Sequence, residues 1–247
     1  MTETPRLVLA SLSGEADAAW ARAASDDADL AVLGGIAVDE ATRRAASEMA
    51  ASRNRNEFLP DDPVRFVESE LDALADAPVD AGVNVRSTTT GPLRAVAEAC
   101  AERGALVEVN AHCRQSEMCA AGAGETLLGD TERLCELVAA AAGTGATTGV
   151  KVRAEVSGVD LPALAARLDV AGADVLHVDA MDSEGVVANV RAAFDGVLVA
   201  NNGVRDRRTV REYLACGADA VSLGRPSDDP RVRRRVRDAV AEWFDDG

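Results

Sequence analysis

Lysine is nearly absent from this chain. Of 26 basic residues only Lys151 is a lysine, and all the others are arginine. Aromatic residues are scarce as well, at 3% of 247 residues, so alanine, valine and leucine must fill the core; the 47% apolar content supplies them. No apolar run approaches the ~18 residues of a membrane-spanning helix. The opening MTETPRLVLASLSGE has no basic start and a single four-residue apolar run, so no signal peptide is expected. Cys100, Cys113, Cys119, Cys135 and Cys216 are odd in number and form no C-x-x-C, which argues against a disulfide framework and for reduced thiols in a cytoplasmic protein. His112 and Cys113 with Cys119 do not have the spacing of a zinc site, so no metal is expected.

Acidic residues number 42, and the net charge is −16. A carboxylate-rich surface stays hydrated in strong salt, where screening removes its self-repulsion. The composition is halophile-like, and it excludes binding of DNA or any polyanion by bulk charge. The run R-V-R-R-R-V-R at 231–237 is read as surface ion-pair partners in so acidic a chain.

Short apolar, β-branched runs alternate with alanine-rich, charge-faced stretches for eight rounds. Strands are expected at 6–10, 30–36, 82–86, 106–110, 149–153, 174–179, 196–201 and 219–223. Helices are expected near 15–26, 39–51, 62–76, 92–103, 130–143, 161–170, 184–194, 206–216 and 229–244. Asp61, Asp130 and Asp229 read as helix starts, and Gly104, Gly172 and Gly217 as helix stops. Eight rounds with no linker predict one α/β domain over 1–247, a TIM (β/α)₈ barrel. An open doubly wound sheet is the alternative, but its G-x-G-x-x-G is missing: S-L-S-G-E-A stands after the first strand.

The active site of such a barrel lies at the carboxyl ends of the strands. Here those ends are polar: Asn84 and Arg86, Glu108 and Asn110, Lys151 and Arg153, His177 and Asp179, Asn201 and Asn202, then Ser222, Gly224 and Arg225. Residues two apart share one strand face, so these groups are expected to converge. Lys151–Glu108 and Arg153–Asp179 are possible structural ion pairs. Lysine is a compact point charge and arginine a rigid fork, so a site that needs the former explains the single exception. The glycine-containing turns Asn201-Asn202-Gly203 and Gly224-Arg225 follow strands seven and eight, the usual phosphate site of this fold.

The segment V-N-A-H-C at 109–113, with Gly124, Leu127 and Leu128 eleven, fourteen and fifteen residues past the cysteine, resembles the tRNA-dihydrouridine synthases, which have N-x-G-C-P and then G-x-A-L-L. V-K-V-R at 150–153, A-G-A-D at 171–174, N-G at 202–203 and G-A-D-A-V-S-L-G-R at 217–225 are similar to further family motifs, so the resemblance spans about residues 106–225. It implies an FMN-dependent barrel that reduces or oxidises the 5,6 bond of a uracil ring. Cys113 would be the acid, protonated at neutral pH with an ordinary thiol pKa of about 8.5. Asn110, His112 and Arg114 would meet the substrate. Asn84, Lys151, His177, Asn202, Gly203, Gly224 and Arg225 would form the FMN site.

Departures from the family pattern are specific. His112 replaces Gly, Arg114 replaces Pro, and Cys119, Ala120 and Ala121 stand where the family has basic residues. Asp179 aligns with the family histidine, with His177 two residues earlier as its candidate substitute. No C-terminal tRNA-binding helical domain is expected, as in short archaeal relatives. Dihydroorotate dehydrogenase shares the Asn…Cys-Pro pattern and the lysine, so a flavoenzyme acting on a free small pyrimidine is one alternative to a tRNA enzyme. A non-redox phosphate-binding barrel is another. If tRNA is the partner, Arg114 and the 205–208 cluster are expected to carry recognition, with Arg86 and Arg153 also near the mouth. The oligomeric state, the tRNA position and the electron donor are left open.

The charge balance gives the first prediction. Melting temperature should rise steeply between low salt and molar KCl as carboxylate repulsion is screened; equal values in both would show that the acidity plays no part in stability.

Overall fold

A computed structural model of the chain describes residues 4–53, 56–180 and 183–245. All eight expected strands form: β1 (Leu7–Leu9), β2 (Leu30–Ala37), β3 (Asp80–Arg86), β4 (Leu106–Asn110), β5 (Thr147–Arg153), β6 (Val175–Asp179), β7 (Val197–Asn201) and β8 (Ala220–Leu223). They are parallel, pair in chain order, and close where β8 meets β1 with Val8 opposite Ser222. Closure leaves no open edge and sends every helix to the outside. These helices are α1 (Ala18–Ala23), α2 (Glu40–Arg53), α3 (Pro63–Asp72), α4 (Thr90–Glu102), α5 (Ser116–Ala120), α6 (Thr126–Gly129), α7 (Thr131–Ala142), α8 (Leu161–Val170), α9 (Val186–Arg191), α10 (Arg207–Ala215) and α11 (Pro230–Asp245). No described helix is long and apolar enough to cross a membrane.

The start of α3 lies one residue beyond the expected Asp61. Asp62 accepts the N–H groups of Val64 and Arg65, both at 3.1 Å, and Pro63 follows where no N–H donor is needed. Asp130 caps α7 as expected, accepting from the N–H of Arg133 at 3.2 Å. The short helices α5 and α6 and a 3₁₀ turn at Arg225–Asp228 were not expected, because one turn carries too little periodicity to be read.

Alternation along the strands builds two different cores. Outward residues such as Val107, Val109, Leu176, Leu198 and Val221 pack with Leu134, Leu137 and Leu164 of the helices. Inward residues at the amino end, Val8, Leu30, Val32, Leu106, Val175, Val199 and Ala220, plug the barrel. Leu106 has room because Gly82 lies opposite it on β3 and Gly149, two residues past its partner Thr147, comes close on β5. A Cβ on Gly82 would lie 3.1 Å from the Leu106 Cβ, and one on Gly149 would lie 3.2 Å from its Cδ1.

Above this plug the inward positions turn polar, and the layer they form supports the mouth. Gly149→Ala should cost about 1–3 kcal/mol by overpacking the plug, and Leu106→Ala about 2–5 kcal/mol by leaving a cavity. Urea melts of the double variant should show less than the sum, since the new methyl occupies part of the lost leucine's space.

Candidate active site

The inward polar residues form one connected layer. Asn110 Nδ2 donates to Asn84 Oδ1 at 2.8 Å, and Asn84 Nδ2 donates to Glu108 Oε1 at 2.7 Å. Glu108 Oε2 meets His177 Nδ1 at 2.7 Å; His177 Nε2 meets Ser222 Oγ at 2.7 Å; the Ser222 hydroxyl donates to Asn201 Oδ1 at 2.9 Å. Burial disfavours a charge on Glu108, but His177, Lys151 and the Asn84 amide outweigh it and hold its carboxyl down to about 2. At His177, burial and Lys151 push the pKa downward against the pull of Glu108. The carboxylate is the charged member of the pair, because it also has Lys151 and the amide on its side.

This layer corrects part of the expected site. Asn84 and His177 are fully engaged within the protein and line neither cavity of the mouth. His177, expected as the candidate substitute for the family histidine, thus lies beneath the cavity and does not face it. Glu108 pairs with His177 and not with Lys151, and Arg153 lies 3.3 Å from Glu125.

Over the layer lies a two-lobed cavity. The first lobe, about 500 Å³, is lined by Asn110, His112, Cys113, Arg114, Gln115, Lys151, Arg153, Asp179, Asn202 and Arg225, with Ser11–Ser13, Glu15 and Asn56 across from them. The second, about 430 Å³, runs toward β7 and β8 and adds Ala10, Val204, Pro226, Arg205, Gly203 and Gly224. The lobes share Ser11, Leu12, His112, Lys151, Asp179, Asn202 and Arg225, so they are continuous. Of the expected site residues, all except Asn84 and His177 line one lobe or the other.

Local turns explain the cysteine's position. Asn110 Oδ1 accepts the N–H groups of His112 at 3.2 Å and Cys113 at 3.0 Å, folding the chain over the end of β4. With its Nδ2 also donating to Asn84, Asn110 builds the loop that was expected only to meet substrate. Gly124 packs on that loop from the far side: its φ is +64°, and a Cβ there would fall 2.2 Å from the Cys113 carbonyl oxygen. The cysteine-to-glycine spacing is thus a packing constraint on the Cys113 backbone.

Arg86, fully buried, was expected at the rim and instead lies beneath it. Its Nη1 donates to Glu57 Oε2 at 2.7 Å, and its Nη2 donates to Ser13 Oγ. Burial alone would raise the Cys113 thiol, but Arg86 and then His112 reverse this and bring it to about 7, below the value expected of an ordinary thiol. The adjacent His112 ring lies with Nε2 2.5 Å from Asp179 Oδ2, and the other carboxylate oxygen accepts from Asn202 Nδ2 at 2.9 Å. Burial works against charge on His112, yet Asp179 and the thiol outweigh it and raise its pKa.

Lys151 is buried at 3% exposure and lines both lobes, and its ammonium makes no hydrogen bond or ion pair with the described residues. Arg114 is exposed at the first lobe, whereas Arg207 and Arg208 lie off the cavity, paired with Glu242 and Glu212. Cys100 is buried in α4, where desolvation pushes its thiol up to about 12, as suits a packing residue. Residues 11–15 and 56–57 were missed because they carry no motif; only chain folding brings them to the mouth.

No family model matches the chain. An uncharacterized protein of Methanocaldococcus jannaschii is 24% identical over 252 residues, covering 97% of this chain and 92% of its own. Among solved structures, DHODH from Eimeria tenella in complex with ferulenol superposes with a TM-score of 0.69 at 12% identity, covering 97% of this chain and 81% of that one. Morphinone reductase in complex with tetrahydroNAD superposes at 0.67 with 15% identity over 95% and 87%. The 3-hexulose-6-phosphate synthase from Salmonella typhimurium superposes at 0.59 with 16% identity over 96% and 99%. At these identities the likeness is one of fold, and the neighbours include oxidoreductases beside a sugar-phosphate enzyme.

The polar layer gives the next prediction. The folded-state pKa of Glu108 is about 2 against an ordinary 4.5, so its stabilisation is full above pH 4.5 and lost as pH falls toward 2. Glu108→Gln should lose about 3–5 kcal/mol at pH 7, as when one partner of a buried pair is removed. Urea melts from pH 7 down to 3 should show the gap to wild type narrowing.

Proposed function

We propose that this protein is an FMN-dependent oxidoreductase acting on the 5,6 double bond of a uracil-type ring, with tRNA uridine as substrate. The observation that carries the reading is Lys151: a buried cation with no hydrogen bond or ion pair among the described residues, lining a cavity with a tuned thiol on one side and the glycine turns after β7 and β8 on the other. An unpaired buried charge is costly, so a polar ligand is expected to meet it.

The residues fit FMN. Ala10, Leu12, Val204 and Pro226 offer apolar surface in the second lobe, and Arg225 offers a cation. The N–H groups of Gly203 and Val204 meet no acceptor among the described residues and suit a phosphate. Gly224 has open space where a Cβ would stand. FMN, when bound, would supply or accept hydride at a ring held between the lobes. Lys151 would hold the electron-rich edge of that ring, and Cys113 would hold or deliver the proton that completes the reduced C–C bond. Asn110 keeps one Nδ2–H for the pyrimidine. Gln115, which lines the first lobe and whose buried Oε1 has no partner among the described residues, would offer that oxygen to a ring N–H once its side chain turns toward the ligand.

Arginine placement supports RNA as the carrier of that ring. Arg207, Arg231, Arg234 and Arg235 gather in one depression across the starts of α10 and α11, and Arg235 Nε donates to the Arg205 carbonyl at 2.8 Å beside the second lobe. Guanidinium groups suit phosphates and stack on bases. A free small pyrimidine is the second reading, favoured by the −16 charge and by the burial of Arg86 away from any base.

The purified protein should show a flavin spectrum and release FMN on denaturation, and Lys151→Met should lower occupancy at least tenfold. A colourless protein that cannot be reconstituted with FMN would sink both redox readings and leave a phosphate-binding barrel. Cys113→Ser should keep FMN while turnover falls by about 10²–10⁴-fold. Deleting the gene and mapping dihydrouridine in the host tRNA separates the substrates: survival of every dihydrouridine with no other synthase present would favour the free pyrimidine.

A further inference from the structure

Cys113, His112 and Asp179 stand in the order of a thiol, a base and a carboxylate that orients the base, and they do so inside the cavity. His112 Nε2 lies 2.5 Å from Asp179 Oδ2, and His112 adjoins Cys113 in the chain and lines the same lobe. Asp179 is itself fixed by the Asn202 amide at 2.9 Å. Three elements contribute: the loop after β4, the end of β6 and the turn after β7. A nucleophile or acid beside a base that is oriented by a third group is the general signature of an activated proton carrier. The sequence motif that resembles the synthases has glycine where His112 stands, so the motif assigns this imidazole no part in proton transfer to the thiol.

We infer that His112 is a positioning and proton-relay residue for Cys113, held by Asp179. The inference deepens the oxidoreductase reading and rests on it for the identity of the substrate. In the reductive direction the substrate C=C bond takes a hydride at one carbon, its two electrons coming from the reduced flavin. The S–H bond of Cys113 breaks and its proton forms the C–H bond at the other carbon. Neutral His112 then takes up a proton from solvent entering the open lobe and, as imidazolium, passes it to the thiolate, which re-forms S–H and returns the imidazole to its neutral form. Asp179 stays ionised throughout. Without His112, the thiolate would have to wait for a proton from solvent at a buried position.

Charged and titratable groups reach this pair from every side. Arg86 of β3 faces Cys113 and favours the thiolate, while Cys119 of α5 also senses the thiol. Lys151 of β5 disfavours charge on His112, and Asp179 of β6 favours it. His177 of β6, in the layer beneath, feels His112 as a like charge. The sign for the thiol is therefore set by Arg86 and His112 together, and removing His112 should leave a smaller depression due to Arg86 alone.

The test reads the thiol directly, in a Cys119→Ser background without substrate. The rate of Cys113 alkylation by iodoacetamide, followed by mass spectrometry, is measured from pH 5 to 10. The wild-type site should titrate near 7. His112→Gln should move the midpoint up by at least one unit, a loss of about tenfold in rate at pH 6. Asp179→Asn, which keeps the shape of the side chain, should move it in the same direction by less. An unchanged midpoint in His112→Gln, or in Asp179→Asn if the first variant does not fold, would overturn the relay and leave Arg86 as the whole cause. Because no flavin or turnover enters the measurement, a shifted midpoint in a protein that binds no FMN would fail the oxidoreductase reading while the thiol–imidazole pair stands.

Discussion

A guanidinium taken wholly out of water must be met by acceptors from several directions, and the mouth of this barrel is arranged around that requirement. Arg86 leaves the end of β3 and reaches Ser13 in the loop after β1 and Glu57 in the connection before α3. Gly14 allows the approach: at φ +72° it accepts the backbone of Asn56 so closely that a Cβ would lie 2.2 Å from its carbonyl carbon. The same buried charge lies against Cys113, so one residue shapes the wall of the cavity and tunes the thiol inside it.

Beneath the mouth, a dry apolar plug gives way to a hydrogen-bonded layer within one or two residues along each strand. The change of character follows from alternation alone: Leu106, Glu108 and Asn110 are successive inward positions of β4, as are Val175, His177 and Asp179 of β6. Each polar group in the layer has a partner, which is the condition under which such a network rigidifies a core and does not weaken it. The layer also isolates Lys151. With Glu108 taken by His177, the ammonium is left facing the cavity. A rigid arginine fork at this inward position would be harder to fit above His177 than a compact ammonium on a flexible stem.

The acidic surface and the arginine-lined depression at α10 and α11 follow opposite rules of charge. Most arginines are spent on neighbours: Arg103 reaches Asp72 at 2.7 Å, and Arg233 reaches Asp27 at 3.0 Å. Such contacts hold the helices around the barrel without leaving free positive charge. In the depression across the starts of α10 and α11, Arg207, Arg231, Arg234 and Arg235 outnumber Asp238 and Glu242.

The eight-stranded barrel was legible in the chain because strand alternation and helix periodicity are local, and eight repetitions of one unit permit few closures. The convergence of Asn110, His112, Cys113, Lys151, Asn202 and Arg225 was legible for the same reason: carboxyl ends of parallel strands share one face. What the chain could not disclose was pairing. His177 and Asp179 lie two apart on one strand and looked interchangeable, yet one is locked below by Glu108 and Ser222 while the other rises to hold His112. Arg86 read as one more cation at the rim, and only the return of residues 13 and 57 buries it. Hydrogen-bond partners hundreds of atoms apart along the chain, and the desolvation that makes each partnership obligatory, exist only once the barrel has closed. Sequence by itself determined that the polar strand ends gather at one face of the barrel; tertiary structure decided which of those residues are paired beneath the mouth, which face the cavity, and which loops close over it.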